Sequence, residues 1–436
     1  MLSISHTLWA LTLLAITGQA CATEFWYSHS GPTASAIADL CRHFNAERDE
    51  QDRLHCIRQG TYEQTLQKTV AAYRAGISPA LVEIYDVATP DMMLGAATVP
   101  VEALMSRQQR AYSADTFLPA LKRYYSDEHG VLAAQPFAVS TAVLYVHRDA
   151  LAAAGITETP TTWAAFSTAL RALKNNHHDC PMATDFSPWI WLEQTSAAQG
   201  SAIAVRSGGV DRYRFDQGTH LQLMNDLAQW TREGLVRHQE STRSGQQALA
   251  FASDECAMLL DSTGSWNTVR STLKPDIDVT LLPIYPDTQR QSNLPGGSSL
   301  WVMQGHSTHE YDVVSEFLAF VLRPDNQRVF SSRTGYLPVT QATAKAVRND
   351  ERAALAIKVG LSSLDDIDSA PDNPLRCGFI TLMRVIWSQE TGNALAGRQN
   401  MGHALSQTAL RGNELLGLFQ QMHQPLAQNQ QSERLP

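Results

Sequence analysis

Apolar and polar positions change places along the chain in short blocks, and the blocks predict strands and helices in turn. Residues 24–28 read as a short aromatic strand, followed by the turn residues Ser30, Gly31 and Pro32. Ile37, Leu40, Cys41 and Phe44 then fall at i, i+3, i+4 and i+7, one face of a helix. A second helix carries Leu66, Val70 and Tyr73 on one face and stops at Gly76, a residue suited to a left-handed helix end. Residues 80–87 (ALVEIYDV) read as a buried strand. The pattern returns with a strand over 142–146 and a helix face of Trp163, Phe166 and Leu170, capped by Thr161 or Thr162. Further strands are predicted over 257–260, 279–284 and 300–304, the last two flanking a polar loop that holds Gly296 and Gly297. Val313, Phe317 and Phe320 mark a helix that ends before Pro324, and beyond Ala342 the chain reads as mainly helical. Alternating strands and helices imply an α/β protein with sheets covered by helices. No single linker divides it.

Composition narrows the functional classes. The 436 residues are 44% hydrophobic and 18% charged, which suits a folded chain of two to three domains. With 34 Lys+Arg against 43 Asp+Glu the net charge is −9, and no basic stripe offsets it, so nucleic acid is a poor partner. An anionic ligand would have to be held by a few aimed donors against the overall field.

Residues 7–17 form an apolar run too short to span a bilayer, and Ala20-Cys21-Ala22 fits a cleavage site, so residues 1–22 are expected to be a signal peptide. Its first residues carry no Lys or Arg, which is off pattern. A lipid anchor at Cys21 is the alternative, but Gly18 stands where such a site usually has Leu. Export leaves Cys41, Cys56, Cys180, Cys256 and Cys377, with no CxxC pair. Candidate disulfides are Cys180 with Cys256 and Cys41 with Cys56, Cys377 being left over; spacing alone does not fix that connectivity. A secreted hydrolase would need a nucleophile with its base, or a metal cluster. HExxH and G-x-S-x-G are absent, and His177-His178-Asp179 sits in a polar stretch that reads as solvated surface. No metal is expected.

Several strings stand in an order that carries a resemblance: Phe25-Trp26-Tyr27-Ser28, Thr61-Tyr62-Glu63-Gln64, Gln135-Pro136-Phe137, the ten residues 296–305 (GGSSLWVMQG), 334–338 (TGYLP) and 411–416 (RGNELL). The chain resembles the periplasmic substrate-binding proteins of glycerol-3-phosphate ABC importers, the UgpB family, over nearly its whole length. The resemblance implies a two-lobed periplasmic-binding-protein fold, each lobe a mixed sheet flanked by helices. Hinge crossings would lie near 135–143, 281–285 and 335–340. Lobe one would then take 23–137 and 283–336, and lobe two 138–282 and 337–436.

The same resemblance implies a set of ligand contacts. Arg384 is a single cation in an apolar helical stretch; its guanidinium can grip two phosphate oxygens, although a salt-bridged structural arginine is the plainer reading of the residues alone. Ser262 precedes a helix start and could face an anion or simply cap the helix. Gly297 would let backbone approach ligand closely, and Ser140 lies on a proposed hinge. Tyr62 and Tyr336 offer rigid phenol donors. Phe186, where the family places Trp, and nearby Trp189 would cover the ligand. Asp86 ends a buried strand where an unpaired charge is costly; the family carboxylate there accepts from glycerol hydroxyls and is often Glu. The shorter Asp leads us to expect a glycerophosphodiester such as glycerophosphocholine at least as readily as glycerol-3-phosphate. No cofactor is implied. The expected partners are two ABC permease subunits, each docking to one lobe, with cytoplasmic ATPases; the protein is expected to be a periplasmic monomer and not an enzyme. The alternatives are a sugar-binding protein of the same fold and a secreted phosphodiesterase.

Overall fold

The computed structural model describes residues 22–207, 210–271, 276–365 and 377–432, with side chains to 422. The predicted leader up to Cys21 lies outside them. The first part of the chain lays down strands β1 (Thr23–Tyr27), β2 (Leu54–Arg58), β3 (Leu81–Tyr85), β4 (Thr98–Val99) and β5 (Gln135–Ser140). There follow β6 (Ala142–His147), β7 (Cys180–Thr184), the hairpin β8 (Ala204–Ser207) and β9 (Val210–Tyr213), and β10 (Val236–His238). The last strands are β11 (Cys256–Ser262), β12 (Ile277–Thr280) and β13 (Gly296–Met303).

Two sheets result. The first has the order β2-β1-β3-β13-β4, with β5 also on β13; the second has the order β10-β7-β11-β6-β12. Both are mixed: β1 runs parallel to β2 and β3, whereas β13 is antiparallel to β3, β4 and β5. In the second sheet β7 is parallel to β10 and β11, and β6 is antiparallel to β11 and β12. The near-continuous apolar runs of β3, β5 and β6 are buried at every position, as strands covered by helices on both faces must be.

The chain steps from the first sheet to the second between Ser140 and Ala142 and returns in β13. Buried polar bonds hold the step together. Asn293 donates through Nδ2 to Thr141 Oγ1 (2.9 Å) and to the Ala142 carbonyl (3.1 Å), and the Leu337 N–H donates to the Val139 carbonyl (2.7 Å). Around it lies an aromatic core in which Trp163 meets Phe166, Trp191 and Trp230 at 5.4–6.3 Å between rings. On the other side Phe25, Phe44 and Phe317 pack together.

Two expectations are corrected. Gly296 and Gly297 are the first residues of β13, not a loop, because β5 offers them a partner strand and a bulge between Gly297 and Ser299 absorbs the irregularity. The helix Tyr62–Arg74 buries Thr65, Thr69 and Ala72, while Val70 and Tyr73 are exposed. Small residues let this helix lie close on β3, and Thr65 spends its hydroxyl on bonds to Ser28 Oγ and the Thr61 carbonyl.

The structure contains two disulfides, Cys41–Cys56 and Cys180–Cys256; Cys377 is a buried thiol outside both. The first ties the helix Gly31–Asn45 to β2 and the second joins β7 to β11. They close loops of 15 and 76 residues. By loop-closure entropy, replacing Cys180 and Cys256 with Ser should cost about 4.5 kcal/mol and the Cys41/Cys56 pair about 3 kcal/mol. Denaturant melts of the two double variants check the ranking, and an equal or reversed cost would refute it.

Candidate functional site: a charged cleft at the start of β13

β13 begins at the step between the sheets, and the polar side chains of the cleft gather at its first residues. Gly297 has φ +94° and sits so close to β5 that a Cβ would lie 1.9 Å from the Ala138 carbonyl oxygen. Only glycine fits there. Its N–H donates to the carboxylate of Asp86, which leaves the end of β3. Gly296 lies under the indole of Trp189, where a Cβ would be 2.5 Å from the ring.

Asp86 is 5% exposed and its Oδ2 is buried with no hydrogen-bond partner. Burial pushes its pKa up to about 7 against the pull of the nearby Arg384 guanidinium. Trp189 Nε1 is a second buried polar atom with no partner. An unpaired acceptor and an unpaired donor, both beside the glycine pair, are what a polar ligand would satisfy.

Arg384 belongs to the helix Ile380–Leu395 and is gripped from behind. Its Nε donates to Glu193 Oε1 at 2.5 Å and its Nη2 to Glu193 Oε2. Glu193 is fully buried and the Arg384 side chain is 17% exposed. Burial alone would lower the Arg384 pKa, but the Glu193 carboxylate and then Asp86 hold it above the usual arginine value. With the Nε–Nη2 edge bound to Glu193, the Nη1–Nη2 edge remains for a second acceptor. Glu193 escaped the sequence reading. Its only signal was an acid directly after the apolar run WIWL, here in a buried π-helical turn Trp189–Gln194.

On the first-sheet side, Tyr62 and Tyr336 are hydrogen-bond partners, and burial raises both phenol pKa values, keeping them neutral. Tyr62 stacks on Tyr85 at 5.5 Å. His29 and Glu83, also missed, lie directly behind this pair. Thus Tyr62, Asp86, Trp189, Gly297, Tyr336 and Arg384 converge. Ser140 is the strand partner of Gly296 and nearly buried. Ser262 Oγ accepts from the Gly264 N–H at 3.0 Å, capping the 3₁₀ turn Thr263–Ser265, which lies under the Tyr336 ring. Phe186 turns instead onto His238, stacked at 5.6 Å. Among the described residues no group of three or more His, Cys, Asp or Glu could hold a metal ion, and no helix is long and apolar enough to cross a membrane.

A family model described as bacterial extracellular solute-binding protein matches residues 40–355. This chain belongs to that family. It is a solute-binding protein, not an enzyme, and has the two-lobed fold of the family. Among curated relatives, the sn-glycerol-3-phosphate-binding periplasmic protein UgpB of Salmonella typhimurium is 31% identical over 440 aligned residues, covering 96% of this chain and 99% of the relative. Among solved structures, UgpB from Mycobacterium tuberculosis in complex with glycerophosphocholine matches at TM-score 0.73 and 20% identity, over 92% of this chain and 99% of that one. The GacH receptor of Streptomyces glaucescens, solved unliganded and with acarbose, matches at TM-score 0.75 and 16% identity, over 91% and 98%.

The Asp86 carboxyl holds its proton more tightly folded than unfolded, so its contribution to stability is complete below 3.8 and is lost as pH rises toward about 7. Asp261, also raised by burial to about 7, adds a second slope of the same sign. The Tm of ligand-free protein should therefore fall between pH 5 and pH 8. Asp86→Asn should flatten part of that fall and raise Tm at pH 8 by about 2 °C or more. A profile parallel to wild type would remove the proton from Asp86.

Proposed function

We propose that this chain is the substrate-binding protein of an ABC importer for glycerol-3-phosphate and glycerophosphodiesters such as glycerophosphocholine. The observation that carries the reading is the pairing, across the cleft at Gly297, of a guanidinium edge on one side with an unbonded carboxylate oxygen on the other. A glycerophosphoryl group is the complement: oxygens of the phosphoryl end for Arg384, Tyr62 and Tyr336, and hydroxyl protons of the glycerol end for Asp86. Trp189 supplies an indole N–H and a face for the glycerol carbons, and Ser140, Ser262 and Gly297 line the approach. The named relatives bind ligands of this class. Because Glu193 already neutralises Arg384, a phosphodiester with one negative charge meets less residual repulsion from Asp86 than a dianion does. The diester is the better fit.

In this reading lobe one is 23–137 with 283–336, lobe two is the remainder, and the step at 140–142 is one of the hinges. Closure on ligand presents both lobes to two permease subunits in one fixed pose, with ATPases beyond the membrane. The mature protein is a periplasmic monomer released from its leader at about Thr23, and it needs no cofactor.

Calorimetric titration of the mature protein tests this with glycerophosphocholine, glycerol-3-phosphate and maltose. Both phosphate compounds should bind, the diester at least as tightly, and maltose should not. Replacing Arg384 alone would strand Glu193, so the neutral pair Arg384→Met with Glu193→Gln is the informative variant. It should lose about tenfold or more in affinity, the worth of one charge-assisted bond. Binding of maltose alone, or full affinity in the double variant, would overturn the assignment.

A further inference from the structure

His29 follows the end of β1 with φ +80°, a left-handed conformation that strains a side-chain-bearing residue and is found where the surroundings enforce it. The enforcing contacts are on its ring. Nε2 lies 2.7 Å from Glu83 Oε1 and 3.2 Å from the Tyr62 hydroxyl, and the ring stands edge-on to Tyr62 at 5.0 Å and to Tyr336 at 5.6 Å. The His29 side chain is 9% exposed and that of Glu83 is fully buried.

Glu83 decides where the protons go. It accepts from the Ser28 N–H at 2.8 Å and from Ser298 Oγ at 2.5 Å. Burial pushes its pKa up, but His29 and these donors outweigh burial and hold it below the usual carboxylate range, so it is ionised. An ionised oxygen at 2.7 Å requires a proton on His29 Nε2. That nitrogen then has no lone pair for Tyr62, so the Tyr62 oxygen can only accept from it. The phenol proton must point elsewhere. Its acceptors are then Ser298 Oγ, which keeps its lone pairs after giving its proton to Glu83, the Tyr336 hydroxyl, and a bound ligand.

We propose that His29, held by Glu83, is a positioning residue that makes the Tyr62 hydroxyl a donor turned away from the His29 ring, toward Ser298, Tyr336 and the phosphoryl end of the ligand. This rests on the reading above that the two tyrosines face that end. A hydroxyl left free to rotate accepts as well as donates and suits a sugar. One fixed as a donor suits a group that offers only acceptors, such as a phosphodiester.

The test is a double-mutant cycle read by calorimetry with glycerophosphocholine and glycerol-3-phosphate, with Tm recorded for every variant. His29→Leu should weaken both ligands about tenfold, and in a Tyr62→Phe background the same change should cost less than about threefold, because the hydroxyl it positions is gone. His29→Gln, which keeps an N–H donor, should retain affinity to within about threefold of wild type. If His29→Leu does not fold, Glu83→Gln carries the cycle, since a neutral partner no longer fixes the Nε2 proton. Equal costs in the wild-type and Tyr62→Phe backgrounds, or wild-type affinity in His29→Leu, would overturn the inference while leaving the ligand assignment intact. A wild-type protein that binds neither phosphate compound would overturn both.

Discussion

Asp86 carries a carboxyl group into a place with too few donors for it: its own N–H and that of Gly297 serve the group, one oxygen has no partner, and the nearby Arg384 cation is shared with another acid. Removing a charge from water without full compensation is among the costlier things a fold can do. Much of the cleft can be understood as the arrangement that makes this tolerable. Gly297 is glycine so that β13 can approach β5 and still aim its N–H at Asp86. Glu193 holds Arg384 near Asp86 yet neutralises it, so that the arginine does not collapse onto the aspartate and close the gap. What remains is a deficit of hydrogen bonds with a definite shape, which the proposed ligand would fill.

The sheet architecture was legible because strands covered on both faces announce themselves as apolar runs, and residues 80–87 and 142–146 do so here. Local errors came where packing overrode pattern. The helix Tyr62–Arg74 presents Thr65, Thr69 and Ala72 to the sheet, and an eye trained on large apolar residues chooses the opposite face. Gly296 and Gly297 look like a turn by composition, and only the presence of β5 beside them makes a strand.

The candidate site was legible unevenly. Its outward members, Asp86, Arg384, Tyr62 and Tyr336, were named through resemblance together with residue chemistry. The acids and histidine behind them were not, because Glu83 lies within an apolar run, Glu193 ends another, and their partners are far away in the chain. Glu83 meets His29 and Ser298, and Glu193 meets Arg384. Supporting residues of this kind acquire meaning only when the fold supplies the partner.

One contact between the two sides reaches beyond equilibrium affinity. The hydroxyls of Tyr85 and Thr381 are bonded at 3.1 Å, and the Phe379 N–H donates to Asp91 Oδ1 at 3.4 Å. Both bonds join the first sheet's side to the start of the helix that carries Arg384. If a solute lodges between Asp86 and Arg384 as proposed, parting the two sides to release it also breaks these bonds, a clasp that it never touches. In that reading, how strongly the cleft holds its cargo and how long it keeps it are separable properties. A partner that prises this clasp apart can empty the cleft without competing for a single atom of the solute.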